Sequence, residues 1–247
     1  MATNELFQFS IVSALMDGVA SHGLPVSTIL ANGDHGLGTF RNLVGELIIL
    51  DGKAYRMNPD GSITHIGFTA STETISPFAM ITRFSPTVIT KADLPGKAKV
   101  PGKEALFELL SHLLPGARNH YLAIRVEGVF KSVTVRTVGG QREPHEGLAD
   151  VGKHQVSHTF TEAMTGTIIG FRSPPYMQGV SVAGDHLHFI SEDRARGGHL
   201  LAFETAEKVE VAVAPIWTVH LELPRDDAEF NEATLKGDSE GIKAVEG

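Results

Sequence analysis

The stretch Ala183–Phe203, AGDHLHFISEDRARGGHLLAF, places His186, His188 and His199 around a polar run. In a strand the side chains at i and i+2 share a face, so His186 and His188 project together. SEDRARGG predicts a turn centred between Asp193 and Arg194, which sets His199 opposite His188 on the returning strand. Directly opposed residues have Cβ atoms about 4.5–5.5 Å apart, close enough for three imidazoles to converge. Three neutral nitrogens with one position left open is a ligand set for catalytic zinc, and nickel or iron also accepts it. The competing reading is of polar strand residues, since an HxH pair alone is common. His35, His65, His112, His120, His145, His154, His158 and His220 have no such companions and read as structural or surface residues.

A cupin motif is the first alternative, with Gly179, His186, His188, Glu192 and Gly197 fitting it loosely. In a cupin Glu192 would bind the metal, and the last histidine would come from a distant strand. In this sequence Glu192 opens the polar turn, off the face of the histidines. That alternative would make the protein a metal-dependent oxygenase or isomerase. A non-catalytic metal- or sugar-binding β module is a further one.

The elements that must position these residues are set by a chain of 247 residues, 42% hydrophobic and 20% charged, enough for one large core or two moderate ones. The net charge of −8 and the scattered basic residues argue against nucleic-acid binding. With no cysteine, disulfides and thiolate zinc sites are excluded, and a cytosolic home is expected. The first residues lack a basic n-region and no apolar run is long enough to span a bilayer, so neither a signal peptide nor membrane association is expected.

Along the chain, Phe7, Ile11, Leu15 and Val19 recur at helical spacing and predict a helix over 5–20. VGELIILDGKAYRM, with Asp51-Gly52 between apolar runs, predicts a hairpin, which the turn NPDG extends to a meander. Residues 93–103 read as a surface connector, and LFELLSHLL as a helix stopped by Pro115-Gly116. YLAIRVEG and FKSVTVRTV read as two strands with a turn near Glu127-Gly128, and polar residues 139–155 as a domain boundary. Six further strands follow, GTIIGFRSP, GVSVAG, HLHFIS, GHLLAFE, KVEVAVAP and WTVHLELP, and the polar composition from Arg225 onward predicts a frayed tail.

GDHGLGTFRNLVGELIILDGKAYRM, FKSVTVRTV, GTIIGFRSPPYMQGVSVAGDHLHFISEDRARGGHLLAF and the terminal VEG resemble, in order and over nearly the whole chain, the motifs of the acetolactate decarboxylases. The resemblance implies a metal-dependent enzyme, usually with zinc, that converts 2-acetolactate to acetoin and carbon dioxide, in a homodimer. It assigns the metal to His186, His188 and His199, and further roles to Glu46 of GEL, Arg136 of RTV and Glu246 near the C-terminus. The poorly matching tail leaves Glu240 as an alternative to Glu246. The expected architecture is an α/β fold of the α+β type. A mixed-sheet domain over 1–145 packs on a smaller, barrel-like β domain over 146–224 that carries the metal hairpin, and a tail over 225–247 returns to the site.

Each implied role has a chemical rationale. Loss of carbon dioxide leaves two electrons beside a ketone, held as an enediolate if the ketone oxygen is polarised, which is Lewis-acid work. Arg136 can pair with the carboxylate or with the developing enediolate, and only the second lowers the barrier. A glutamic acid with a raised pKa can then deliver the proton at carbon.

Overall fold

A computed structural model describes residues 1–67, 74–94, 102–236 and 240–242. Its first half contains strands β1 (Glu5–Phe9), β2 (Leu24–Pro25), β3 (His35–Thr39), β4 (Glu46–Leu50), β5 (Lys53–Met57), β6 (Ile63–His65), β7 (Ile75–Ser76), β8 (Phe78–Thr82) and β9 (Val88–Ala92). Then follow β10 (Tyr121–Thr137), β11 (Val156–Phe160), β12 (Met164–Ser173), β13 (Gly184–Ser191), β14 (Gly197–Thr205), β15 (Val209–Ile216) and β16 (Thr218–Glu222). Among the described residues the named helices are few and short: α1 (Val12–Met16), α2 (Val26–Leu30), α3 (Lys103–Leu113), α4 (Leu148–Gly152) and α5 (Ala228–Glu232). None is long and apolar enough to cross a membrane.

Two large sheets result. The first runs β16-β1-β8-β3-β4-β5-β6 and is mixed, because β1 pairs parallel with β16 while its other pairings are antiparallel. The second is antiparallel and closes on itself. β10 is long enough to pair β12 through Leu122–Phe130 and β14 through Phe130–Arg136, so β12, β13, β14 and β10 form a barrel. Phe130, Val133, Val135, Leu187, Phe189, Leu200 and Phe203 form one buried cluster of this barrel. Ile169, Phe171 and Ile190 belong instead to the cluster that holds Leu37, Ile48, Met57 and Met80 of the first sheet. The α+β class with a barrel-like half is therefore the architecture observed.

Several local expectations change. The 5–20 segment is β1 followed by the short α1, not one helix. β1 lies between β16 and β8, and Leu6, Phe7, Gln8 and Phe9 are all buried, so no period-2 pattern advertises the strand. Gln8 is tolerated there because its Nε2 donates to the carbonyls of Ser10 and Val180, at 2.9 and 2.8 Å. No turn interrupts β10 at Glu127-Gly128. Gly128 stays in the ladder opposite Gly166, and a Cβ there would lie 2.7 Å from Val209 Cγ1, so this glycine marks a close approach. GVSVAG is not one of the strands.

The sheets also interleave in sequence instead of separating at 145/146. β9 and β10 join the barrel sheet, and β16 returns to the first sheet. The polar stretch 139–155 is packed, not a linker: Gln141 Nε2 donates to the carbonyls of Gly18 and Glu146, and Leu148 and Val151 are buried. The segment after Arg225 is ordered where described. Asp227 caps α5 by accepting from Phe230 N, and Phe230 packs with Ala14 and Val19. Thr234 Oγ1 and Leu235 N both donate to Asp17 Oδ2, and Ile242 is fully buried in the first core.

Candidate metal centre and active site

The hairpin β13–β14 has the register its turn predicts, with His188 directly opposite His199. The next strand continues the row, because Arg136 on β10 is directly opposite His199. His188, His199 and Arg136 thus lie on adjacent strands, with His186 two residues before His188. The row faces β4 of the first sheet, where the carbonyl of Leu47 meets His188 Nδ1 at 3.1 Å. One glycine is needed for this contact layer. Gly170 has φ +155°, and a Cβ there would come within 2.1 Å of the His186 carbonyl oxygen.

The three imidazoles are enclosed: His186, His188 and His199 are 5%, 0% and 1% exposed. Their ring centroids lie 5.2–5.5 Å apart, and one ligand nitrogen from each comes within 4.8 Å of the others. Burial, reinforced by Arg136 and Lys103, lowers the His186 pKa to about 3. Burial also carries His188 and His199 well below the ordinary histidine value, with the neighbouring His186 and Arg136 adding to it. All three are therefore neutral near pH 7, the form that binds metal.

The residues present fit a metal ion. A carbonyl oxygen can only accept, so His188 carries its proton on Nδ1 and keeps a lone pair on Nε2. That Nε2 is buried and has no hydrogen-bond partner, an arrangement that is costly without an ion to satisfy it. Glu46 Oε2 lies 3.9 Å from it, too far for a hydrogen bond.

Glu46 opens β4 directly after a strained corner. Asn42, Leu43 and Gly45 have φ of 57°, 58° and 84°, and Leu43 is fully buried despite its left-handed backbone. The non-glycine residues Asn42 and Leu43 cost on the order of 1–3 kcal/mol each there and persist where the surroundings hold them, whereas Gly45 adopts this backbone freely. The corner turns Glu46 inward, leaving its side chain 13% exposed. Glu46, His186 and Thr39 line a narrow pocket whose other walls include Leu43, Phe78, Val138 and Leu148. Thr39 carries no signal of its own in the sequence; its Oγ1 donates to the carbonyl of Gly45 at 3.1 Å, bracing the corner.

His186, His188, His199, Arg136 and Glu46 come together from four strands. Glu240 is exposed, and Glu246 lies outside the described residues. Ile242, between them in sequence, is buried in the same core as Leu43, Phe78, Val138 and Leu148. Glu192, the ligand a cupin would need, is exposed in the turn.

A closed antiparallel barrel with a buried three-histidine cluster on the side facing a second sheet defines a metalloenzyme-like site in an α+β fold. Comparison with known proteins gives it a family. The sequence profile of the alpha-acetolactate decarboxylase family matches residues 6–237. The chain is 36% identical to the alpha-acetolactate decarboxylase of Bacillus licheniformis over 248 residues, covering 99% of this chain and 92% of that one. It is 37% identical to that of Bacillus subtilis over 232 residues, covering 94% and 86%. The crystal structure of the Bacillus subtilis enzyme superposes with a TM-score of 0.88 at 35% identity, covering 98% of this chain and 99% of that chain. The chain belongs to the alpha-acetolactate decarboxylase family and is a carboxy-lyase of that family.

Proposed function

We propose that the chain decarboxylates 2-acetolactate to acetoin and carbon dioxide at the centre formed by His186, His188 and His199, with zinc as the ion these residues hold. The observation that supports this most is the buried, unpartnered Nε2 of His188 within a neutral imidazole triad. Zinc held by these three imidazoles would supply Lewis-acid chemistry, polarising the substrate's ketone oxygen. The chain's own groups do the rest. Arg136, 4% exposed and beside His199, presents a permanent positive charge to the side of the triad where the carboxylate departs. As the C–C bond breaks, its electron pair moves into the enediolate and the charge facing Arg136 shifts with it. Glu46 holds the proton that goes to the enediolate carbon. The apolar walls Leu43, Phe78, Val138 and Leu148 exclude competing water and accept the substrate's methyl groups. Glu246, four residues beyond the buried Ile242 in sequence, is the second carboxylate in this reading.

The test is Arg136→Lys. Lysine keeps the charge but loses the planar fork, so kcat should fall by about 10²-fold, as when one transition-state donor is removed, with a smaller change in KM. A raised KM at unchanged kcat would assign Arg136 to substrate binding alone and contradict its action on the transition state.

The C-terminal segment has its own expected outcome. Deleting residues 241–247 should leave the bound ion in place but lower turnover and the enantiomeric purity of the acetoin. Removing the buried Ile242 side chain should also cost stability, by about 2–5 kcal/mol on the scale of core truncations. Glu246→Gln should reproduce the catalytic loss without the stability loss. If metal content, turnover and product purity all match the intact chain in both variants, the segment has no part in the reaction.

A further inference from the structure

A second cluster of metal-ligating groups lies apart from the triad. His22, between α1 and β2, meets Asp227 and Glu229 at the start of α5, and one ligand atom from each lies within 4.8 Å of the others. That is the same spacing bound as in the histidine triad. The three differ in setting: His22 is exposed, Glu229 half-buried and Asp227 9% exposed.

The local hydrogen bonds leave the right atoms over. His22 Nδ1 is tied to Ser21 Oγ at 2.8 Å, which leaves Nε2 as the ring nitrogen available to a ligand. Asp227 Oδ1 accepts from Phe230 N at 3.1 Å, leaving Oδ2. Glu229 Oε2 is buried and has no hydrogen-bond partner. A desolvated carboxylate oxygen beside a second carboxylate is unfavourable unless a cation or donor joins it. The surrounding charges do not supply one in excess, since Glu222 and Asp226 line the same cleft with Arg225 as its one permanently basic side chain among the described residues.

We infer that His22, Asp227 and Glu229 form a second divalent-cation site, taking a first-row ion such as zinc with water completing its shell. One nitrogen and two carboxylate oxygens suit such an ion, at bonds of roughly 2.0–2.2 Å, and rotation of the two less buried side chains closes the spacing. The site joins the loop after α1 to the segment that leads to the C-terminus. That segment is otherwise held by Phe230 against Ala14 and Val19 and by Asp17 accepting from Thr234 and Leu235. The ion is therefore a clamp on the seating of residues 225–236, separate from the ion of the active site.

The experiment is zinc binding to metal-free, full-length protein by calorimetry, with limited proteolysis of the 225–236 segment as a second readout. Two ions per chain are expected, one tight and one weaker. His22→Ala and Glu229→Gln should each weaken only the second, by roughly tenfold or more given what even outer-shell changes do to metal sites. Both variants should lose the zinc-dependent protection of the segment. His22 is exposed, so its variant folds independently of the clamp. His188→Ala should keep the weaker ion, which separates failure of this inference from failure of the active-site reading. One ion per chain in the parent protein, or a weaker ion unchanged in either clamp variant, overturns the second site.

Discussion

His188→Ala is expected to remove the tightly bound ion and with it nearly all turnover, by about 10³-fold or more. The size follows from the several kcal/mol of charge stabilisation a Lewis acid supplies, at about 1.36 kcal/mol per tenfold in rate. His188 is the member of the triad whose orientation is fixed most clearly, by donation from Nδ1 to the Leu47 carbonyl at 3.1 Å. Its loss leaves His186 and His199 with two of three nitrogens. The measurement is metal content by mass spectrometry beside kcat, with near-ultraviolet circular dichroism to confirm packing. Full activity with the tight ion still bound would end the three-histidine account.

Glu46→Gln should lower kcat by about 10³-fold, within the range general acids contribute, while the tight ion stays bound. Glutamine keeps the shape and hydrogen-bonding reach of the side chain but has no proton to deliver. Glu46 Oε2 stands 3.9 Å from His188 Nε2, inside the pocket and on the opposite sheet from the triad, where it can face a substrate held between them. Decarboxylation and protonation separate in this variant. Carbon dioxide release in a single turnover should therefore survive better than acetoin formation. Loss of the ion together with the activity would instead make Glu46 a metal ligand, and unchanged kcat would remove it from the reaction.

The histidine hairpin β13–β14 is legible in the sequence because a short polar turn fixes register, and a one-residue slip would move every side chain to the other face. The meander β4–β6 is legible for the same reason, through Asp51-Gly52 and NPDG. Arg136 and Glu46 are different. Their strands are visible, but nothing local says which face of FKSVTVRTV or GELIIL meets the histidines; the family motifs supply that. Long-range pairing hides the remainder. β10 pairs with β12 and β15 along its first part and with β14 and β11 along its second, so Gly128 looks like a turn although it lies within a ladder. β16 pairs with β1 from the far end of the chain, so the sheets cross the expected boundary. β1 is buried on both faces and imitates a helix. The polar tail buries few apolar residues, chiefly Phe230 and Ile242, and its other ties are polar bonds to Asp17, too sparse to show as a pattern. His22 carries no local signal because its companions, Asp227 and Glu229, come from the opposite end of the sequence.

The most direct measurement is product formation from 2-acetolactate by the zinc-loaded protein in the absence of oxygen, run beside His188→Ala. One carbon dioxide and one acetoin should form per substrate consumed, and neither should rise above background in the variant. Substrate consumption that requires oxygen, zinc binding without carbon dioxide release, or equal turnover by His188→Ala would contradict decarboxylation at the three-histidine centre.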